Sequence, residues 1–281
     1  MNKNIKTGLY IIIGLVGFLI TSILSSIVVL LLGQTFISFL LQMIFSIILS
    51  IIFIKIICVK IHHIELFELR ICNFKNKLKW ILCGILLPFS VIMFFIIIMP
   101  GYFEYAEMDN NQLLNKIAFG ILCIGISTGI TEELWFRGYI MKMIENNIGK
   151  KLSIIITAVI FSLLHIINIE SSYNTFDILL LIISGIIVGI MFASIVYKSG
   201  SIWTAVIIHI FWNSIIGGIM HVGINQSETA IYTYILDKDL NIITGGNIGI
   251  EVSLPAMIGY LIIIIICNYR RKEYIEKSNV A

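Results

Sequence analysis

The stretch TEELWFRG, residues 131–138, decides how this chain is interpreted because it places three charged side chains inside a long apolar run. The run covers residues 117–144 and is long enough to cross a bilayer. The three charges of the TEELWFRG stretch belong to Glu132, Glu133 and Arg137. A charged side chain at the centre of a membrane helix costs about 2.5–3.5 kcal/mol on insertion scales. Three such groups so close together therefore predict a polar site whose partners lie elsewhere in the chain.

The composition is that of a helical membrane protein. Of the 281 residues, 59% are hydrophobic and 12% are charged, whereas a soluble domain carries roughly 25% charged residues. Because lipid cannot satisfy backbone polar groups, the repeated apolar runs predict an all-α, polytopic fold in one transmembrane domain, residues 1–281. The first run is too long for a signal peptide and is expected to be retained. Eight spans are predicted, with approximate limits 9–32, 35–58, 79–99, 117–144, 153–169, 177–197, 201–220 and 254–267.

The basic residues predict the topology. If the eight spans alternate, most lysines and arginines outside them lie on one side and the acidic loops lie on the other. The positive-inside rule then places both termini in the cytoplasm. A chain rich in Ile, Lys and Asn and poor in Pro indicates an AT-rich bacterium, so we expect a multi-pass protein of the bacterial cytoplasmic membrane. The net charge of +3, spread through short loops, gives no argument for nucleic acid as a partner, and the five scattered cysteines predict no disulfide framework.

The two longest connections differ in character. Residues 59–78 are basic and fit either an amphipathic helix on the cytoplasmic face or a plain connecting loop. Residues 221–252 are polar and contain glycine, so we expect a loop on the outer face. Neither connection is long enough to predict a separate soluble domain.

Few other ionisable side chains lie within the predicted spans. His165 belongs to the fifth span, and His209 belongs to the seventh, where Asn213 follows it by one turn. At about 1.5 Å per residue, Glu132 and these three side chains lie roughly 12–18 Å from the cytoplasmic ends of their helices. That distance is near the middle of a hydrocarbon core about 30 Å thick. Three helices can therefore bring a carboxylate, two imidazoles and a carboxamide to one polar cavity.

Helix geometry divides the acidic pair. Glu133 and Arg137 are spaced i,i+4, so they share a helix face and can form an ion pair. Glu132 points about 100° away and is less easily consumed by that pair. A partly desolvated carboxylate beside an imidazole can deprotonate a water molecule, and a second histidine and an asparagine amide can stabilise an oxyanion. These residue types favour hydrolysis, although the sequence leaves open which glutamate faces the cavity.

Three spaced motifs lie on successive polar helices: Glu132-Glu133-x-x-x-Arg137, Phe161-x-x-x-His165 and His209-x-x-x-Asn213. In this order they resemble those of the CPBP family, the CAAX protease and bacteriocin-processing group of intramembrane proteases, also called the Abi family. The resemblance covers about residues 117–215, which it implies are the motif-bearing catalytic core.

The resemblance implies a glutamic-type endopeptidase that acts on a peptide or protein substrate at the bilayer. Carried over by position, Glu132 and His165 activate the water, and His209 and Asn213 form the oxyanion hole. The residues with implied supporting roles are Glu133, Arg137 and Phe161. No cofactor is implied. Zinc is the alternative, because it accepts two histidines and a glutamate, but asparagine is a poor zinc ligand and no H-E-x-x-H is present.

Other functions remain open on the sequence alone. The charged motif could be an ion-pair network for helix packing, and the protein could be a non-catalytic bacteriocin self-immunity protein or a scaffold. A proton-coupled transporter is disfavoured because no inverted repeat or broken-helix pair is visible. The G-x-S-x-G pattern at 125–129 lies within a predicted helix rather than at a strand-to-helix elbow, so it is interpreted as a packing face. Together with Gly185 and Gly189, it predicts close packing of the fourth and sixth spans.

Overall fold

The computed structural model describes residues 3–105, 107–169 and 173–278, which form a polytopic helical membrane protein. Each predicted span corresponds to one apolar helix. Six helices are long and apolar enough to cross a membrane: α1 (Lys3–Leu32), α2 (Phe36–His62), α3 (Lys77–Ile98), α4 (Asn110–Ile148), α5 (Lys150–Ile167) and α6 (Thr175–Ser199). Two further helices have shorter apolar parts: α7 (Trp203–Ile219) and α8 (Leu254–Ser278), whose apolar part is Leu254–Asn268.

Helix α4 is longer than the apolar run that predicted it, because capping extends it into polar sequence. It has 39 residues. At its start, the Asp109 carboxylate accepts hydrogen bonds from the backbone N–H groups of Asn111 and Gln112, which satisfies donors that a helix leaves unpaired. At its end, Gly149 adopts φ 90°, which only glycine reaches without strain, and the chain turns directly into α5.

The helix that carries the charged motif and the helix that carries His209 and Asn213 are locally widened. Residues Phe119–Ser127 and Glu133–Ile140 of α4, and Asn213–Ile219 of α7, form i→i+5 hydrogen bonds in place of the usual i→i+4 pattern. Such wide turns are rare and are often found at functional sites. The residues Glu133 and Arg137 both lie within one of them.

Glycines allow α4 to lie directly against α7. A Cβ atom added at Gly125 would overlap the Ser214 hydroxyl, and one at Gly129 would lie 2.8 Å from Ile210 Cγ1. The prediction that these glycines pack against the sixth span is therefore wrong, because their faces are filled by α7. On α6, Gly185 packs against Ser162 of α5 instead.

A small sheet covers one end of the bundle and was not predicted. It contains β1 (Gly101–Tyr105), β2 (Met220–Gly223) and β3 (Tyr232–Leu236) in the order β1-β3-β2. Strands β1 and β3 are antiparallel, with Tyr105 opposite Tyr232, whereas β2 and β3 are parallel. The predicted outer loop at 221–252 is thus partly ordered. Its strands are too short, and their partner β1 too distant in sequence, for a periodic pattern to reveal them.

The connection at 59–78 is a loop with short turns rather than an amphipathic helix. The chain leaves α2 at His63, which adopts the left-handed conformation, and then forms one 3₁₀ turn, Leu66–Leu69. Next, Arg70 forms an ion pair of 2.5 Å with Glu145 near the end of α4. This connection therefore fastens the α2–α3 corner to the helix that carries the charged motif.

The core surrounds the charged part of α4. The largest fully buried side chains include Trp135, Arg137 and Tyr139, all from that helix. Helix α1 packs on the same stretch through glycines, because a Cβ at Gly14 would lie 2.9 Å from the Tyr139 ring and one at Gly17 would overlap Trp135. The motif is therefore enclosed by protein on the side that faces α1 as well as on the side that faces α7.

Candidate active site

The Glu133 side of the motif is a buried ion-pair cluster. Arg137 Nη1 donates a hydrogen bond of 2.9 Å to Glu133 Oε1, and neither side chain is exposed. The His209 Nδ1 atom lies 3.0 Å from the same carboxylate oxygen. Because an ionised carboxylate only accepts hydrogen bonds, this contact places a proton on Nδ1. The i,i+4 spacing predicts the Glu133–Arg137 pair, and the structure adds His209 as its second partner.

Two aromatic rings enclose this cluster. The Arg137 guanidinium lies 4.2 Å from the centroid of Phe161 and 5.0 Å from that of Phe192, distances at which cation–π attraction operates. The Phe192 ring also stacks on His209, with centroids 4.8 Å apart and an interplanar angle of 21°. Sequence reasoning named Phe161 but missed Phe192, because a phenylalanine in an apolar span carries no signal of its own.

Glu132 lies in a different environment from Glu133, beside a polar cavity. Its Oε2 atom lies 3.8 Å from His209 Nε2, too far for a hydrogen bond. That oxygen is buried and has no hydrogen-bond partner among the described residues. The side chain is 15% exposed and lines a polar cavity of about 140 Å³ between α1, α2 and α4. The question of which glutamate faces a cavity is answered by the helix rotation: Glu133 points into the ion-pair cluster, and Glu132 points into the cavity.

His165 lies at the junction between the main part of α5 and its last turn. Its Nδ1 atom lies 2.8 Å from the Phe161 carbonyl oxygen, which can only accept. The contact therefore places a proton on Nδ1. The ring also contacts Phe161 at 4.8 Å between centroids. Within the described chain, His165 forms no direct hydrogen bond or ion pair with Glu132, so Phe161 is what connects it to the cluster.

Asn213 follows His209 by one turn of α7 and lies opposite a widened part of α4. Its Nδ2 atom donates a hydrogen bond of 3.2 Å to the Ile124 carbonyl oxygen. An amide nitrogen has two donors, so one N–H remains for another acceptor. The bond fixes the position of the Asn213 side chain. Its acceptor, Ile124, belongs to the wide turn Phe119–Ser127.

A further acidic residue, Glu251, interacts electrostatically with His165 and was missed by sequence reasoning. The Ser184 and Tyr260 hydroxyls both donate to its backbone oxygen, which holds the turn before α8. Its side chain is exposed to a second cavity, of about 460 Å³, that His221 also lines. Enclosure by the protein raises the pKa of the Glu251 carboxyl, and the attraction of His165 acts in the opposite direction. No sequence pattern could show that this loop returns to α5.

The site contains histidine and glutamate side chains, which are residue types that can bind metal ions. Among the residues that the structure describes, no three His, Cys, Asp or Glu side chains are grouped so that they could hold a metal ion. His209 Nδ1 is occupied by Glu133, and His165 Nδ1 is occupied by a backbone carbonyl. The arrangement instead offers one unbonded carboxylate, ring nitrogens with fixed tautomers and an amide donor, which are the groups that acid–base chemistry uses.

Comparison with known proteins finds a family match for the motif-bearing segment. Residues 114–215 match the family described as type II CAAX prenyl endopeptidase Rce1-like. This match confirms the family resemblance inferred from the three motifs, and at the level of the family it indicates a CAAX-type membrane protease. The searches of curated proteins and of solved structures found no match.

Proposed function

We propose that this protein is a glutamic-type intramembrane endopeptidase in which Glu132 is the general base. The observation that carries the proposal is the contrast between the two neighbouring carboxylates. Glu133 is fully buried and its Oε1 atom accepts from Arg137 and His209, whereas Glu132 has an Oε2 atom without a hydrogen-bond partner among the described residues and lines a polar cavity. A general base needs an unengaged lone pair and access to water, and only Glu132 has both.

The reaction follows from these groups. Glu132, assisted by His165, takes a proton from a water molecule as its oxygen attacks the carbonyl carbon of the scissile peptide. The carbonyl oxygen becomes an oxyanion as the tetrahedral intermediate forms. The C–N bond then breaks, and the proton held by the carboxylate passes to the departing amine. The products are a carboxylic acid and an amine, so one water molecule is consumed for each bond.

Oxyanion stabilisation is assigned to His209 and Asn213. The free N–H of Asn213 can donate directly, since only one of its two donors is used by Ile124. For His209, Nδ1 is committed to Glu133, so the donor is Nε2, which requires protonation at both ring nitrogens. Preorganised donors of this kind typically contribute about 10²–10³ in rate. The fixed positions of both side chains support this role.

The supporting residues act through position. Glu133 and Arg137 hold α4 in the rotation that directs Glu132 to the cavity, and Phe161 joins the guanidinium to the His165 ring. The proposed substrate is a membrane-associated peptide or protein, and a prenylated CAAX peptide is the candidate that the family description suggests. The basic loops support the further proposal that the protein lies in a bacterial cytoplasmic membrane with both termini in the cytoplasm.

The direct test replaces the carboxylate by its isosteric amide. Purified protein in detergent is incubated with farnesylated and unmodified CAAX peptides and with a proteome-derived peptide library, and products are identified by mass spectrometry. We expect Glu132→Gln to reduce cleavage by at least about 10³-fold, since the base is removed. The matched control, Glu104→Gln in β1, should cleave at the parent rate.

Two outcomes would contradict the proposal. Undiminished cleavage by Glu132→Gln would exclude Glu132 as the base, and the absence of any cleavage by the parent protein would favour the immunity or scaffold alternative. A chelator added in the same assay addresses zinc. We expect EDTA to leave the rate unchanged, whereas loss of activity that zinc restores would favour the metalloprotease alternative.

A further inference from the structure

The cavity beside Glu132 is built largely from helices that lie outside the family match at 114–215. Helices α1 and α2 supply one wall, and α4 supplies the other. Polar side chains predominate in the lining, which is unusual for three apolar helices. The lining residues are Phe18, Thr21, Ser22, Ser25, Gln42, Ser46, Ser50, Ser127, Thr128, Thr131 and Glu132.

The chemistry of this lining suits water. Several hydroxyls donate to carbonyl oxygens of their own helix, as Thr21 does to Gly17 at 3.0 Å and Ser25 to Ser22 at 2.9 Å. Their oxygens therefore remain acceptors toward the cavity. A polar cavity of about 140 Å³ has room for several water molecules, since each occupies roughly 30 Å³ in the liquid. The buried, unbonded Glu132 Oε2 is a further acceptor at its wall.

The cavity is closed at one end and continues at the other. Toward the chain termini, Trp135 fills the space, because its Nε1 donates to Ser50 Oγ at 3.2 Å and its ring packs on Gly17. Toward the sheet, Gln42 lines both this cavity and a larger one of about 1060 Å³. Successive residues Ser25 and Ser26 line the inner and the outer cavity, respectively, so polar surface continues from one to the other.

The outer cavity lies at the sheet-bearing end of the bundle. It is lined by the last turns of α1, the start of α4 and the loop before β3. Its polar lining residues include Gln34, Glu107, Gln112, Asn115, Lys116 and Glu228. Charged and amide groups of this kind are solvated, so the outer cavity is a source of water for the inner one.

We infer that α1 and α2 complete the active site by forming the route along which water reaches Glu132 from the sheet-bearing end of the protein. The use of that water in peptide hydrolysis rests on the proposed function, whereas hydration of the route does not. Each hydrolytic event consumes one water molecule, and hydrocarbon supplies none. The route also explains why hydroxyl side chains lie on the α1 and α2 faces that meet α4.

Hydration is tested by cysteine accessibility in the full-length protein in lipid vesicles. Thiols react with methanethiosulfonate reagents as thiolates, and thiolates form only where water reaches them. Ser25→Cys places a thiol in the route, where the native side chain is 3% exposed, and Ile23→Cys places one on the lipid-facing side of the same turn, where the native side chain is 62% exposed. A charged methanethiosulfonate reagent is added to both faces, and the labelled site is located by mass spectrometry.

We expect Ser25→Cys to be labelled at least tenfold faster than Ile23→Cys, which is the reverse of the order that surface exposure gives. Equal or slower labelling at Ser25 would overturn the inference. The same experiment in the Glu132→Gln background separates the two proposals. Fast labelling at Ser25 together with retained cleavage by Glu132→Gln would leave the hydrated route in place and remove the catalytic mechanism.

The kinetic test narrows the route. Ser25→Leu adds apolar volume to the wall, whereas Ile23→Leu is the matched control at the lipid face. We expect Ser25→Leu to lower kcat about tenfold with KM changed by less than twofold, because water delivery affects the chemical step and not peptide binding. A raised KM with unchanged kcat would show that the peptide occupies this route, and an unchanged kcat and KM would show that water reaches Glu132 elsewhere. Both results would overturn the inference.

Discussion

The two faces of α4 at its charged motif have opposite designs. On one face, Glu133 is fully buried and bonded to Arg137 and His209, and aromatic rings cover the cluster. On the other face, Glu132 is partly exposed, lies 3.8 Å from His209 Nε2 and is directed into a cavity lined by hydroxyl groups. Two adjacent glutamates thus have the same chemistry but differ in the groups that they contact. Glu133 is held in the cluster by its two partners, and Glu132 has access to the cavity.

The comparison also shows how the membrane shapes the site. A buried charge requires a partner because desolvation without one is costly. The Glu133 face meets that requirement with α6 and α7, since Arg137 reaches the Gly189 carbonyl at 3.5 Å. The Glu132 face meets it with the polar cavity between α1 and α2. The charged motif therefore needs helices on both sides, including two that lie outside the family match.

The largest expected effect on stability comes from removing Glu133, the ion-pair partner of Arg137. Glu133→Ala leaves the Arg137 guanidinium buried without a counter-charge, which typically costs about 3–5 kcal/mol. We expect a strongly lowered melting temperature in detergent, measured by tryptophan fluorescence. Glu132→Ala should melt close to the parent protein, because no hydrogen bond is lost. Equal destabilisation by the two substitutions would contradict the division between the two faces.

A smaller effect is expected where α4 meets α7. Gly129→Ala would place a Cβ 2.8 Å from the Ile210 side chain and 3.1 Å from its backbone nitrogen, so the helices must separate. Overpacking of this kind costs about 1–3 kcal/mol. We expect a lower melting temperature and slower cleavage, because His209 moves relative to Glu132. Gly8→Ala, with no atom within 4 Å of the added Cβ, is the matched control and should change neither quantity.

The sheet-bearing end offers a pH test of another polar group that burial affects. Burial lowers the pKa of His221 from 6.5 to about 4. The unfolded chain therefore binds the His221 proton more tightly than the folded protein does. The contribution of uncharged His221 to the free energy of unfolding is complete above pH 6.5 and is lost as the pH falls toward 4. Allowing for its partial exposure, we expect a loss of about 1–2 kcal/mol.

Melting temperatures between pH 7 and pH 4.5 measure this loss, and His221→Gln should flatten the profile. The raised pKa of Glu251 contributes with the opposite sign, since protonation at low pH favours the folded state. The comparison is therefore repeated in a Glu251→Gln background. An identical acid-induced loss with and without His221 would contradict its role.

The smallest expected effect concerns the ring that stacks on His209. Phe192→Leu removes aromatic contacts worth about 0.5–1.5 kcal/mol. We expect a two- to tenfold slower cleavage with a small change in melting temperature. The His209 ring loses the stacking contact that helps to orient it but keeps its hydrogen bond to Glu133. Phe89→Leu, at a position that is 54% exposed on the outside of α3, is the control. A rate equal to that of the parent would show that Phe192 only fills space.

Much of the fold was predictable because lipid imposes strong rules. Every apolar run became a helix, since a helix satisfies its backbone polar groups within the segment. The i,i+4 spacing of Glu133 and Arg137 predicted their pair, because residues four apart share a helix face. The three strands were not predictable, because each is short. In addition, β1 pairs with a strand more than 100 residues away in the sequence. Glu251 and Phe192 were missed because their interest lies in contacts with residues distant in sequence, and such contacts leave no local sequence pattern.

By itself, the sequence determined a membrane protein of eight apolar helices with three polar motifs in family order, because hydropathy and spacing are local properties. Only the tertiary structure decided which of the two glutamates is free. That choice depends on the rotation of α4, which is set by glycine contacts with α1 and α7 and by the buried bond from Arg137 to Glu133. The tertiary structure also brought the hydroxyl groups of α1 and α2 to Glu132, since a cavity exists only where separate helices meet.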